Sequence, residues 1–305
     1  MILVAQDFKN SGTAITWRLL QSGKSALEAV EQGIRAVESN PEDNSVGLGG
    51  YPNAAGVVEL DAGVMDGRTR RSGAVGGLKG FAHPVSIAYS VMHKLPHVLL
   101  VGDGAARFAD EMAVERAELL TDEMREKWIK WSQEYGITEL AADTPLVHPV
   151  NGGKDPWHSG GTSVYLAQDR DGNIVAATST SGWAWKYPGR LGDSPIAGAG
   201  FYADNRYGAA ACTGMGELSI RTGLARMAVH GLKLGMTVNE AVDTALKDVL
   251  ELASPPAGNL TLNLIDAHGN YHVAAIRVHN DPIYYCVAVE GDAIPVCKEA
   301  AYPAF

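Results

Sequence analysis

The sequence predicts an α+β fold in which β-sheets are stacked between layers of helices. Helices with reciprocal N-terminal caps stand in opposite halves of the chain, and strand candidates joined by short turns accompany them. Helices that accompany antiparallel hairpins, without a strict βαβ alternation, are typical of stacked sheets covered by helices. At 305 residues and 32.3 kDa, the chain is long enough to bury a large core as one domain or two.

In the first half, the clearest element is a helix that begins after Ser25. Ser25 and Glu28 form a capping box, apolar residues recur at helical spacing behind it, and Asn40 and Pro41 end it. The other predicted elements of this half are a buried strand over 57–65, a helix over 85–92, a short strand over 97–101, and an amphipathic helix from Thr121 to 136.

The second half begins with a segment that lacks a regular hydrophobic pattern. Residues 138–161 have no hydrophobic period and carry three prolines and four glycines, which predicts a flexible surface segment. Beyond it the chain is rich in strand candidates, and a capping box of Thr237 and Glu240 predicts a helix that reaches about 252. The remaining predicted elements are a hairpin of strands 162–168 and 174–180, a helix over 219–234, and strands over 260–266, 271–278 and 283–289.

Charge, hydropathy and cysteine usage exclude several classes of protein. A net charge of -10 and a pI near 5.4 argue against a nucleic-acid surface, and the short basic run 68–71 is interpreted as a solvated turn. No stretch approaches the roughly 18 apolar residues that span a membrane, and the first ten residues lack a secretory signal. Cys212, Cys286 and Cys297 cannot all pair within one chain, so we expect a reducing, cytoplasmic compartment.

Thr162 is the most informative single residue. It follows Gly160 and Gly161 and begins a predicted strand. A cut before Thr162 would give it a free α-amine, with a pKa near 8, beside its own hydroxyl, so that one residue carries a base and a nucleophile. Gly161 suits such a cut because a residue without Cβ tolerates strained backbone. Taken alone, the tripeptide also fits a loop that enters a strand.

Three other segments give Thr162 its context. Thr180 ends the partner strand, Arg190 and Asp193 lie three residues apart in a proline- and glycine-rich segment, and Thr213 precedes Gly214 in a third segment. Singly, an arginine near an aspartate also fits a surface ion pair, and a Thr-Gly pair also fits a turn. Only the joint pattern points to a site.

Four further residues remain open to two interpretations. Trp183 and Trp185 fit the border of a substrate entrance and packing equally well. His158 fits a loop histidine better than a catalytic base, and Cys212 fits a small buried side chain better than a second nucleophile.

The chain from about 25 to 230 resembles the asparaginase family of N-terminal nucleophile hydrolases, most specifically over 162–217 and also in the motifs 46–50, 60–62 and 65–67. That family contains glycosylasparaginases and the plant-type asparaginases that also act as isoaspartyl peptidases. The resemblance implies a four-layer αββα sandwich built as a single domain, 1–305, that cleaves itself between Gly161 and Thr162. The products are an α chain, 1–161, which ends in the linker 138–161, and a β chain, 162–305, and the resemblance implies a homodimer of these cleaved units.

The same resemblance implies a chemical role for each matched residue. The substrate is a small-molecule β-aspartyl amide, and the reaction proceeds through a threonine ester without a metal or cofactor. The implied roles are Thr162 as nucleophile, Thr180 as the hydroxyl that supports it, Arg190 for the substrate α-carboxylate, Asp193 for its α-ammonium, and Thr213 and Gly214 as oxyanion donors.

The leaving group is less sharply defined by the resemblance. Glycosylasparaginases usually have an aspartate immediately before the nucleophile, whereas this chain has Gly161, and plant-type enzymes also have glycine there. In contrast, Lys9 and Asn10 lie in a beginning of the chain that looks more like that of glycosylasparaginases. We therefore predict N4-(β-N-acetylglucosaminyl)-L-asparaginase activity first and L-asparaginase or isoaspartyl peptidase activity as the alternative. An alternative of another class is an amino-acid-binding scaffold that never matures.

Overall fold

The fold is described from a computed structural model, which describes residues 1–7, 9–137, 144–152, 161–252, 258–278 and 281–303. The strands among these residues are β1 (Ile2–Gln6), β2 (Leu60–Asp66), β3 (Arg71–Leu78), β4 (Leu99–Val101), β5 (Ser163–Gln168), β6 (Ile174–Thr180), β7 (Phe201–Asp204), β8 (Gly208–Gly214), β9 (Leu260–Asp266), β10 (Tyr271–Ile276), β11 (Tyr284–Val289) and β12 (Val296–Glu299). The helices are α1 (Thr13–Gln21), α2 (Ala26–Glu38), α3 (Pro84–Lys94), α4 (Gly102–Glu111), α5 (Asp122–Glu134), α6 (Val147–Gly152), α7 (Gly216–Thr222), α8 (Leu224–Lys233) and α9 (Val238–Leu250).

The strands form two sheets. The larger sheet has eight strands in the order β12-β11-β1-β5-β6-β2-β3-β4, and the smaller has four in the order β10-β9-β8-β7. Neighbouring strands pair antiparallel except β3 and β4, which are parallel. Strand β5, which follows Thr162, therefore lies inside the large sheet between β1 and β6.

The apolar residues fall into three main clusters that explain how the sheets and helices pack. Along β1, Leu3 and Ala5 pack with helices α1 to α4, whereas Ile2 and Val4 face the small sheet. This alternation is the consequence of side chains that point to opposite faces of a strand. The third cluster lies between the small sheet and helices α7 to α9. The two sheets thus face each other, and each carries helices on its other side.

Predictions based on local signals are confirmed. Ser25 and Thr237 accept hydrogen bonds from the backbone N–H groups of Glu28 and Glu240, and both capping boxes are complete at the starts of α2 and α9. The predicted hairpin is formed by β5 and β6, and Gly172 takes a positive φ of 78° in its turn. Of the basic run 68–71, residues 68–70 lie exposed in the turn between β2 and β3, whereas Arg71 begins β3.

Two predicted segments differ from the structure. The helix predicted over 219–234 is divided at Gly223, whose φ of 62° ends α7 and begins α8. In the segment 138–161, residues 138–143 and 153–160 lie outside the described residues, but the helix α6 interrupts the predicted irregular stretch. Leu146 and Val150 pack against a cluster that contains Trp131, so burial of apolar side chains stabilises a turn of helix that local propensity does not favour.

Two of the three cysteines are joined in the structure, whereas the sequence led us to expect reduced cysteines. Cys286 of β11 and Cys297 of β12 are joined by a disulfide, and Cys212 remains a buried free thiol. The spacing of the cysteines gave no sign of this bond, because it depends on the antiparallel register that places Cys286 opposite Cys297. A search of the described residues for a helix of the length and apolarity that a bilayer requires finds none.

Candidate active site

A cavity of 560 Å³ opens at the edge of the large sheet where β5 begins, and the small sheet forms its opposite wall. Its volume lies in the range of sites that enclose a small organic ligand. The structure brings every predicted site residue to this cavity: Gly161, Thr162, Thr180, Arg190, Asp193, Thr213 and Gly214 all line it.

Thr180 is aimed at the peptide group that precedes Thr162. Its hydroxyl donates a hydrogen bond to the carbonyl oxygen of Gly161 at 2.6 Å and accepts one from the Gly182 N–H at 2.8 Å. The pairing of β5 with β6, in which Ser163 lies opposite Ser179, sets this approach. A donor on a carbonyl oxygen polarises the carbonyl and stabilises negative charge that develops there.

Arg190 is held by a residue that the sequence did not single out. Its Nε and Nη2 donate to the two carboxylate oxygens of Glu217 at 3.0 and 2.9 Å, and its guanidinium stacks over Trp183 at 4.1 Å. The pairing is with Glu217 rather than with Asp193, and the arginine side chain is only 15% exposed. Its Nη1 lies 2.9 Å from the point that a Cβ on Gly192 would occupy. Glu217 therefore orients the guanidinium, and the Nη1 edge passes close to glycine backbone.

Asp193 is a buried carboxylate with unused hydrogen-bonding capacity. It is 4% exposed, and burial raises its pKa to about 6. Its Oδ2 has no hydrogen-bond partner among the described residues. Gly216 permits this burial, because a Cβ there would lie 2.7 Å from Asp193 Oδ1. A buried carboxylate whose charge is incompletely compensated is a strong acceptor for a ligand ammonium group.

Thr213 and Gly214 reach the cavity from the small sheet. They end β8, where they pair with Thr261 and Leu260 of β9. Gly214 has a φ of 112°, and a Cβ on it would lie 2.1 Å from the carbonyl oxygen of Asn259, so only glycine fits. The residues matched to oxyanion donors and the residue matched to the nucleophile thus come from different sheets that meet at this cavity.

The far end of the cavity consists of residues that sequence reasoning missed. Gln6 ends β1 and accepts a hydrogen bond from Asn263 Nδ2 at 3.3 Å, which links the two sheets. Beyond Gln6, the cavity is lined by Asn10, Asp281, Pro282, Ile283, Tyr284, Cys286 and Cys297. Glu217 stands inside a segment that drew attention for other residues, but no motif distinguishes the residues of this far end.

The structure places three of the four residues for which the sequence allowed two interpretations. Trp183 lines the cavity, whereas Trp185 packs against Trp131 with a centroid separation of 5.4 Å. Cys212 is fully buried, and burial raises the pKa of its thiol well above the ordinary value, so it is the small buried side chain that was expected. His158 lies outside the described residues.

Comparisons with known proteins identify the family of the chain. A family model described as Asparaginase matches residues 6–292. The chain is 37% identical over 260 residues to an N(4)-(beta-N-acetylglucosaminyl)-L-asparaginase of Elizabethkingia miricola, which covers 85% of this chain and 72% of that protein. It is 38% identical over 272 residues to a plant-type L-asparaginase of Pyrococcus horikoshii, with 88% and 86% covered. It is 39% identical over 233 residues to an isoaspartyl peptidase/L-asparaginase of Mus musculus, with 75% and 67% covered.

Proposed function

Because the chain belongs to the asparaginase family of N-terminal nucleophile hydrolases, we propose that it cuts itself before Thr162 and then hydrolyses β-aspartyl amide bonds. The observation that carries this proposal is the convergence of Thr162, Thr180, Arg190 and Asp193 with the Thr213–Gly214 pair on one cavity. The family assignment by itself makes the protein an amide hydrolase.

Self-cleavage is supported by the hydrogen bond from Thr180 to the Gly161 carbonyl. The Thr162 oxygen attacks the Gly161 carbonyl carbon, and the Thr180 hydroxyl stabilises the negative oxygen that forms. The bond from Gly161 to the Thr162 nitrogen then breaks as that nitrogen takes up the proton that the hydroxyl has lost, which leaves an ester and a free α-amine. Water hydrolyses the ester and releases an α chain of 1–161, with the linker 138–161 at its end, and a β chain of 162–305.

The aspartyl half of the substrate is recognised through its two charges. The Nη1 edge of Arg190, held in place by Glu217, takes the α-carboxylate. Asp193 takes the α-ammonium, which supplies the positive charge that its buried carboxylate lacks. Together they direct the β-carbonyl toward Thr162, and such positioning makes attack effectively unimolecular.

The amide is cleaved in two steps. In the first, the Thr162 α-amine removes the proton of its own hydroxyl, the oxygen attacks the β-carbonyl, and Thr213 and Gly214 stabilise the oxyanion. The proton passes to the departing amine as the carbon–nitrogen bond breaks. In the second, the same α-amine takes a proton from water, the hydroxide adds to the ester, and aspartate leaves as Thr162 regains its proton. The steps need no metal or cofactor.

The best substrate is N4-(β-N-acetylglucosaminyl)-L-asparagine. The cavity of 560 Å³ supports this choice, because it holds a ligand considerably larger than asparagine. The second candidate activity is that of an L-asparaginase and isoaspartyl peptidase, which the similar identity to relatives of both kinds favours. The sheets and their outer helices support a four-layer αββα sandwich in one domain, and we expect two cleaved units to associate as a homodimer.

The decisive experiment is mass analysis of the purified protein together with release of aspartate. Two chains, with Thr162 at the N-terminus of the second, and hydrolysis of glycosylasparagine are expected. A Thr162→Ala variant should remain a single chain and release no aspartate. A purified protein that stays at 32.3 kDa and releases no aspartate from glycosylasparagine, asparagine or isoaspartyl dipeptides would instead support the amino-acid-binding scaffold.

A further inference from the structure

The strand order separates the two ends of the cavity. Thr180 ends β6, on one side of β5, and Gly182, which bonds to its hydroxyl, lies against Arg190. On the other side of β5 lie β1 and then β11, which begins at Tyr284. Since neighbouring strands lie about 4.8 Å apart, Tyr284 belongs to a strand about 10 Å from β5 in the direction away from Arg190.

This direction is the one in which the leaving group must extend. The substrate carries its α-carboxylate and α-ammonium at one end, the carbonyl under attack in the middle, and the amine at the other end. If Arg190 and Asp193 hold the first end and Thr162 meets the middle, the amine lies against residues 281–284 and Asn10. We call Asn10, Asp281, Pro282, Ile283 and Tyr284 the leaving-group wall.

The side chains that line the cavity carry more negative than positive charge. Among the described residues that line it, Arg190 is the single cation, whereas Asp7, Asp193 and Asp281 are carboxylates. Arg190 is already used by Glu217 and by the aspartyl carboxylate of the proposed mechanism. A leaving group that carried its own carboxylate would therefore meet Asp281 without a compensating cation from these residues.

The polar groups of the leaving-group wall suit hydroxyl donors instead. Asp281 is exposed and offers carboxylate oxygens, and the Oδ1 of Asn10 is a further acceptor at 3.0 Å from Cys286 Sγ. Tyr284 is 57% exposed and presents an amphipathic ring at the rim. Acceptors combined with an exposed aromatic ring are suited to an uncharged, hydroxyl-rich group.

We infer that the leaving-group wall selects uncharged amines over amines that carry a carboxylate, and that Asp281 is the residue that makes this selection. The inference rests on the proposed hydrolysis and narrows its substrates. The hydroxyl groups of a glycosylamine donate hydrogen bonds to the acceptors of the leaving-group wall, whereas Asp281 repels the free α-carboxylate of an isoaspartyl dipeptide.

A matched pair of substrates tests the selection directly. β-Aspartylglycine and β-aspartylglycinamide have nearly the same size and differ by one negative charge on the leaving group. We expect kcat/KM to be about tenfold higher for the amide at low ionic strength, because like charges repel across a partly solvated site. The ratio should fall as salt is added, since exposed charges are screened.

Variants of Asp281 test whether this residue sets the ratio of kcat/KM for the amide to that for the acid. Asp281→Asn should reduce the ratio of amide to acid, and Asp281→Lys should invert it. Glu126→Lys makes a comparable change of charge on the exposed face of α5, away from the cavity lining, and should leave the ratio unchanged. Each ratio is measured within one enzyme, so a variant with less folded protein still reports it.

Equal kcat/KM values for the acid and the amide would overturn the inference and leave the proposed hydrolysis standing. An unchanged ratio in Asp281→Lys would remove Asp281 as the selecting residue. Absence of aspartate release from both substrates and from glycosylasparagine would refute the proposed function and this inference with it.

Discussion

Asp193, which we propose as the partner of the substrate ammonium, also affects the stability of the folded protein. Burial raises the pKa of this carboxyl from 3.8 to about 6 in the folded protein, so the folded state binds its proton more tightly than the unfolded chain does. The favourable contribution of the protonated carboxyl is complete below pH 3.8 and is lost as the pH rises through 6. At pH 7.5, a shift of this size corresponds to about 3 kcal/mol of destabilisation.

Asp193→Asn should therefore stabilise the folded protein while it removes activity. The amide has the same shape and carries no charge, so the free energy of unfolding at pH 7.5 should rise by about 3 kcal/mol. At pH 5, where the folded carboxyl is mostly protonated, the gain should be about half as large. The loss of the negative charge that pairs with the substrate ammonium should lower kcat/KM about a hundredfold or more.

The stability assay compares Thr162→Ala with Thr162→Ala/Asp193→Asn by urea unfolding at the two pH values. Both proteins are expected to remain uncleaved, so their covalent states match, and mass analysis checks this. Asp243→Asn, which removes an exposed carboxylate of α9, serves as the control and should change stability by less than about 0.5 kcal/mol. The reasoning is refuted if Asp193→Asn is no more stable at pH 7.5, or if its gain is the same at pH 5.

Three further predictions concern the reaction itself. Thr180→Val keeps the shape of the side chain but removes the donor to Gly161, so self-cleavage on a denaturing gel should slow by about a hundredfold or more; cleavage at the normal rate would contradict the role of Thr180. Arg190→Lys should raise KM about tenfold with a smaller effect on kcat, because an ammonium cannot form the fork with Glu217 and still face the substrate; an unchanged KM would remove Arg190 from substrate binding. In the unmodified enzyme, the fall of kcat/KM with decreasing pH should steepen by about a further tenfold per pH unit below pH 6, because Asp193 protonates there in addition to the Thr162 α-amine; a slope that does not change near pH 6 would exclude Asp193 as the ammonium partner.

Sequence reasoning succeeded where the signal is local. The capping boxes at Ser25 and Thr237 are hydrogen-bonded pairs three residues apart, so the helices they begin are correctly predicted. Strands β7 and β8 were missed. In β8, the run from Gly208 to Gly214 consists largely of glycine and alanine, which have low β-propensity, and it becomes a strand by pairing with β7 and β9.

In the candidate site too, the sequence indicated individual segments but not the contacts between distant ones. The resemblance to the asparaginase family singled out the segments that contain Thr162, Arg190, Asp193, Thr213 and Gly214, and the structure gathers these residues at one cavity. The partner of Arg190 was not predicted, because the approach of Glu217 depends on where α7 begins relative to the loop before it.

Through its resemblance to the asparaginase family, the sequence already indicated which residues to expect as nucleophile, carboxylate receptor and oxyanion donors. Only the tertiary structure showed which residues form the leaving-group wall. Asn10 and Asp281 belong to distant parts of the chain and meet because β11 and β1 follow β5 in the sheet. The disulfide of Cys286 and Cys297 has the same origin in strand register. Side chains brought together by strand pairing share no local pattern, so only the fold reveals that Asn10 and Asp281 line the same cavity.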